Sequence, residues 1–138
     1  MQVCPQAPTP KKQEALGRQV LIDLYGCPAD LLDDVKRVEN ALVQAARSCG
    51  ARVVETVLHR FSPQGVSGVV VIAESHLAVH TWPEQGYAAL DVFTCGDVLS
   101  PQELTEALGT LFAAHNSRSR VIQRGLQPHA HAPSPRES

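Results

Sequence analysis

Aromatic side chains are scarce. Three phenylalanines, two tyrosines and one tryptophan make up 4% of the 138 residues, so the core has to be aliphatic, built from Val, Leu, Ile and Ala. Long apolar runs are missing as well. The longest, Val69 to Ala73, is far shorter than the roughly 20 residues a membrane-crossing helix needs. Residues 1–15 carry prolines, glutamines and lysines in place of the apolar stretch of a secretory signal. No C-x-x-C pair occurs among Cys4, Cys27, Cys49 and Cys95; reduced thiols in a cytoplasmic protein are therefore expected. There is no excess of positive charge. Twelve basic against fourteen acidic residues give a net −2, and without a basic run nothing follows a phosphate backbone. Neither nucleic acid nor membrane is an expected partner. Hydrophobic residues at 43% and charged residues at 19% exclude global disorder.

Polar, proline-punctuated ends set off the middle of the chain. Residues 1–15 are expected to form a disordered arm and 126–138 a disordered tail, leaving one domain over 16–125. His129 and His131 in the tail are taken as solvated rather than metal-binding, and no metal is expected there. Val20 to Tyr25 reads as a strand. Leu31, Val35, Val38, Leu42, Ala45 and Cys49 then recur at steps of three and four as one helical stripe, with Pro28 in its first turn and Gly50 just past its end. Val53 to Phe61, Val69 to Ala73, Leu77 to Trp82 and Tyr87 to Phe93 read as four more strands. Ser100-Pro101-Gln102-Glu103 is a capping box that opens a second helix, and Arg120 to Gln123 reads as a last strand. The order β-α-β-β-β-β-α-β predicts an α+β fold, a two-layer sandwich with helices on one face of a mostly antiparallel sheet. Val69 to Ile72 and Ala88 to Phe93 are apolar on both strand faces. The face away from the helices therefore calls for a second subunit, and a homodimer or higher homo-oligomer is expected.

Reactive groups gather between residues 59 and 97: His59, Ser67, Glu74, Ser75, His76, His80, Glu84 and Cys95. Three readings fit their spacing. A hydrolase could use Ser75 or Cys95 with His80, although Gly65 to Val69 is not a G-x-S-x-G elbow. A metal could sit among His59, His76 and His80. The strands could also be plain core with a few satisfied polar groups. Periodicity does not choose among these.

The run Gly65-Val66-Ser67-Gly68, Glu74-Ser75-His76-Leu77, His80-Thr81-Trp82-Pro83-Glu84, Gly86-Tyr87-Ala88 and Phe93-Thr94-Cys95-Gly96 closely resembles the short prokaryotic S-adenosylmethionine decarboxylases. The resemblance extends from about Leu16 to about Gly125. It implies a precursor that cuts itself between Glu74 and Ser75, the Ser75 hydroxyl attacking the preceding carbonyl. Ser75 then becomes a covalent pyruvoyl group, which forms a Schiff base with the substrate and stands in for pyridoxal phosphate. The resemblance further assigns proton removal during processing to His80 and a hydrogen-bonding role in it to Ser67. Cys95 matches the catalytic proton donor, Phe61 the adenine-stacking ring and Glu84 the acceptor for the ribose hydroxyls. The implied product is the aminopropyl donor of spermidine biosynthesis. Gln19 and Gln85 depart from the family pattern, and relatives on this scaffold decarboxylate ornithine or arginine or act as non-catalytic regulators of a partner decarboxylase. Ser75 and His80 have opposite parity along a regular strand, so the sequence calls for Ser75 ahead of the strand or for a bulge between the two.

Overall fold

The computed structural model describes residues 15–73, 75–95 and 99–126. The expected arm up to residue 14, the tail from 127, Glu74, and residues 96–98 lie outside the described residues. Alternation of apolar and other residues forms β1 (Ala15–Tyr25), with Val20, Ile22 and Leu24 turned into the core. Two helices follow, α1 (Ala29–Leu32) and α2 (Val35–Ser48), then β2 (Val53–Arg60), β3 (Val66–Ile72) and β4 (Ser75–Trp82). A 3-10 turn at Pro83–Gln85 leads into β5 (Tyr87–Thr94), α3 (Pro101–Leu111) and β6 (Asn116–Leu126). The strands form one sheet in the order β2-β3-β4-β5-β1-β6, every neighbouring pair antiparallel. The expected fold class and element order hold.

The boundaries differ in two places. The single helix expected from Leu31 to Cys49 is two, because Asp34 has extended backbone and its carboxylate accepts the N–H groups of Lys36 and Arg37 at 3.0 and 3.2 Å. That is an N-cap, which starts a new helix rather than continuing the old one. Gly50, at φ +89°, stands where expected beyond the helix end, and the Ser100 hydroxyl caps α3 by accepting from the Glu103 N–H. The last strand is much longer than Arg120 to Gln123, and Ala15 pairs with Leu126, two residues assigned above to the arm and the tail. β6 is exposed along its whole length, so its hold comes from backbone pairing with β1 and leaves no alternation to read.

Val38, Leu42 and Ala45 of α2 and Leu104 and Leu108 of α3, with Phe112 just beyond, pack on one face of the sheet. There they bury Val20, Ile22, Val70, Leu77, Val79 and Val92 to 1% exposure or less. No described element covers the opposite, outer face. It leaves Val57 62%, Val69 37% and Val71 38% exposed, although burying each such side chain fully contributes about 1.5–3 kcal/mol.

Candidate active site

Cross-strand partners share a face, so the ladders order the outer face in rows. One row runs His59–Ser67–His80–Ala89–Asp23 across β2, β3, β4, β5 and β1. Ser67 Oγ and His80 Nδ1 share a hydrogen bond at 2.9 Å, the histidine tautomer deciding which donates. Two residues beyond His59, on the same face, Phe61 is 47% exposed, and its ring meets His59 edge-on at 4.6 Å. Past His80, the rings of Trp82, Tyr87 and Tyr25 form a ledge with successive centroids 5.3 Å apart. Glu84 follows in the exposed 3-10 turn. Phe61, Ser67, His80 and Glu84 thus gather at one end of β4.

Residues to which the sequence assigns no role of their own hold this end together. Thr81, buried, donates to the Leu32 carbonyl and accepts the Val66 N–H, both at 2.8 Å. Asp33 accepts from Arg60 at 2.7 Å and from the Gly65 N–H at 2.9 Å, fixing the turn that carries Phe61. The Arg60 hydrogen bond, then the Gly65 N–H, hold its carboxyl below the usual carboxylate range. Gly65 sits at φ +107°, a conformation glycine adopts without strain. At Gly68 a Cβ would lie 2.5 Å from the Val57 carbonyl oxygen, so only glycine lets β2 close on β3 beside Ser67. The two glycines of the Gly65-Val66-Ser67-Gly68 run thereby have backbone reasons. Tyr87 donates to Asp23 at 2.5 Å, and that bond, with burial, pushes its pKa up to about 12. None of Thr81, Asp33 or Tyr87 carries a spacing signal, since their partners come from other elements.

Ser75 lies at the other end. It is the first residue of β4 and pairs with Ile72 on the helix-covered face. The next residue, His76, pairs with Phe93, two residues short of Cys95. The β3–β4 and β4–β5 ladders run in unbroken register. The expected bulge is therefore absent, and Ser75 is within the strand rather than ahead of it. Five strand steps put Ser75 and His80 roughly 16 Å apart and on opposite faces, so within one chain the Ser67–His80 pair does not reach Ser75.

The cysteines also need a correction. Cys27 and Cys49 are free, and burial pushes both thiols up, Cys27 to about 11. Cys95 is instead disulfide-bonded. Scattered cysteines pair when the fold brings them within reach, a proximity that motif spacing does not report. His76 faces outward between Val71 and Phe93, and His59 lies across β3 from His80. No group of three metal-ligating side chains occurs among the described residues. Of the two departures, Gln19 accepts from Arg124 at 2.6 Å and Gln85 is exposed in the 3-10 turn.

Residues 18–125 match the S-adenosylmethionine decarboxylase family. The chain belongs to that family. Similar proteins include the S-adenosylmethionine decarboxylase proenzyme of Syntrophomonas wolfei, 55% identical over 82% of this chain and 90% of the relative. The proenzyme of Carboxydothermus hydrogenoformans is 56% identical over 81% and 88%. The crystal structure of the adenosylmethionine decarboxylase from Aquifex aeolicus superposes with a TM-score of 0.74 at 31% identity, covering 88% of this chain and 99% of that one. A Trypanosoma brucei decarboxylase monomer shares the fold at TM-score 0.54 and 16% identity, this chain covering only 45% of its length. Family membership favours the decarboxylase over the hydrolase and metal readings. No described helix is long and apolar enough to cross a membrane.

Proposed function

We propose that this member of the S-adenosylmethionine decarboxylase family cuts itself between Glu74 and Ser75 and then decarboxylates S-adenosylmethionine as a homodimer. The observation that carries the reading is the separation of the two ends of β4. Ser75 and Cys95 form half a site at one end; Ser67, His80, Phe61 and Glu84 form the other half at the opposite end. A second copy laid on the outer face and turned end for end sets unlike halves opposite each other twice and covers Val57, Val69 and Val71. Ser75, the first residue of β4, then has to turn from the helix-covered face toward that copy once the peptide bond before it has given way to the ester. One buried carboxylate oxygen of Asp91, on the same face, lacks a hydrogen-bond partner among the described residues, in keeping with a face that is completed from outside.

In processing, the Ser75 hydroxyl attacks the Glu74 carbonyl carbon, and the peptide C–N bond gives way to an ester. His80 of the second copy, held by Ser67, then takes the Cα proton of Ser75 as the ester carboxylate leaves. Ser75 suits this conversion because β4 is paired on both sides and stays in place once the bond before it is cut. The dehydroalanine left at position 75 takes up water and loses ammonia to become the pyruvoyl group, which supplies the electron sink for the bond to the departing CO₂. Cys95 is the general acid that protonates the resulting carbon; its disulfide has to be reduced for it to carry that proton. Phe61 stacks on the adenine, Glu84 accepts from the ribose hydroxyls, and the Trp82–Tyr87 ledge offers π-faces to the sulfonium. Ornithine and arginine have neither an adenine nor a ribose for Phe61 and Glu84 to bind.

Mixing two inactive variants tests the shared site. Ser75→Ala and His80→Ala, each alone, should lack decarboxylase activity. Co-expressed under reducing conditions they should recover about one quarter of wild-type turnover of S-adenosylmethionine, since half of randomly paired dimers hold one intact site of two. Zero recovery in a verified mixed dimer would place each site within one chain and overturn the reading.

A further inference from the structure

We infer that His59 is a positioning residue for substrate binding, holding the Phe61 ring in its stacking orientation beside the Ser67–His80 pair. The inference rests on the decarboxylase reading above and assigns a role to a side chain which that reading leaves unused. Phe61 follows an edge strand, so β3 supports it on one side only, and the ring is 47% exposed. Its backbone is fixed by the N–H donating to the Gly65 carbonyl at 2.8 Å. That bond does not restrain rotation of the ring about its side-chain torsions. Among the described residues the ring contact of Phe61 is with His59, centroids 4.6 Å apart and planes at 67°.

His59 is itself placed by the ladder. It pairs with Ser67 across β2 and β3, and Ser67 holds His80. The imidazole therefore stands between the stacking ring and the processing pair. In an edge-to-face arrangement at least one face of Phe61 stays clear of His59, and that face is the one a purine can cover. A ring already ordered when the substrate arrives spares the cost of immobilising it on binding. The role is thus one of affinity, not of bond-making. His59 touches Phe61 rather than reacting atoms, and its loss should weaken binding without slowing chemistry.

The test is steady-state decarboxylation of S-adenosylmethionine by processed, reduced enzyme, with the extent of self-cleavage read by mass spectrometry. His59→Ala should raise KM about 2- to 10-fold, the range set by ordering one side chain. It should leave kcat and cleavage at wild-type levels. His59→Phe, which keeps a ring edge against Phe61, should restore KM. In a Phe61→Ala background His59→Ala should add nothing, because the ring it positions is gone. Additive effects on KM, an unchanged KM, or failure of His59→Phe to rescue would each overturn the inference. Lost cleavage with normal KM would do so too, moving His59 into the processing machinery. Wild-type enzyme that leaves S-adenosylmethionine untouched would instead overturn the substrate reading, and this role with it.

Discussion

The two ends of β4 are built to different standards. Around His80 almost every group is tied: Ser67 to His80, Thr81 to both Leu32 and Val66, Asp33 to Arg60 and Gly65, Tyr87 to Asp23. Around Ser75 the anchors among the described residues are backbone ladders, the Ala73 N–H donating to the Arg52 carbonyl, and the disulfide of Cys95. One end is made before any substrate arrives, as a recognition surface has to be. The other is a strand start, where a covalent bond can be severed while hydrogen bonds on both flanks keep the remainder in register.

The contrast predicts that substitutions at the Ser75 end act on chemistry and that those at the His80 end, outside the Ser67–His80 processing pair, act on recognition. The largest effect should come from Ser75→Ala, which removes the attacking hydroxyl: the chain should stay a single 14.9 kDa band on a denaturing gel. Wild type should split into residues 1–74 and 75–138, the second fragment reacting with a carbonyl reagent. Cys95→Ala should still split but lose decarboxylation by roughly 10²–10⁴-fold, the usual worth of a positioned general acid. Near-normal turnover by Cys95→Ala would show that another group delivers the proton.

At the recognition end, Glu84→Gln weakens charge-assisted hydrogen bonds, each contributing about 1.5–3 kcal/mol. KM for S-adenosylmethionine should rise at least several-fold with kcat little changed. A fall in kcat alone would mean that the turn carrying Glu84 serves the reaction and not the ribose.

The smallest effect concerns acid. The folded pKa of Asp33 is depressed by Arg60 and the Gly65 N–H, so its contribution to stability is complete above the ordinary carboxylate value. It fades as the pH falls through the lower folded value. The side chain is in contact with solvent, so the change should be slight. Below about pH 4, the protection of the Gly65 N–H against hydrogen exchange, taken relative to its intrinsic rate at each pH, should fall in wild type and not change with pH in Asp33→Asn.

Fold class was legible because the short apolar, β-branched runs of β1, β3 and β5 and the three-and-four spacing of α2 and α3 are strong local signals. Where competing local chemistry intervened, the reading failed: Asp34 looks like one more polar residue on a helix surface until its carboxylate is seen capping Lys36 and Arg37. β6 was half missed because pairing, not side-chain burial, defines it. In the candidate site, the motif residues could be named from sequence, but their arrangement could not. Spacing alone gives Ser75 and His80 opposite parity, but the expectation that both serve one site called for a bulge or an earlier strand start, and the unbroken ladders have neither. Thr81 and Asp33 act on residues 15 to 49 positions away in the chain, where no window of sequence reaches.

The sheet order also has a consequence for assembly. A break before Ser75 assigns β1, β2 and β3 to one fragment and β4, β5 and β6 to the other, and β1 lies between β5 and β6. Three ladders, β3 with β4, β5 with β1 and β1 with β6, then cross from one fragment to the other. Once cut, the protein would be a two-piece interlock held by those three ladders. Its unfolding, however, has become a dissociation, and its refolding a second-order encounter that slows as concentration falls. Only the uncut chain can thread β1 between its two neighbours as a single molecule. On the proposed reading cleavage therefore follows folding, and it would leave an assembly with a memory of having once been one chain.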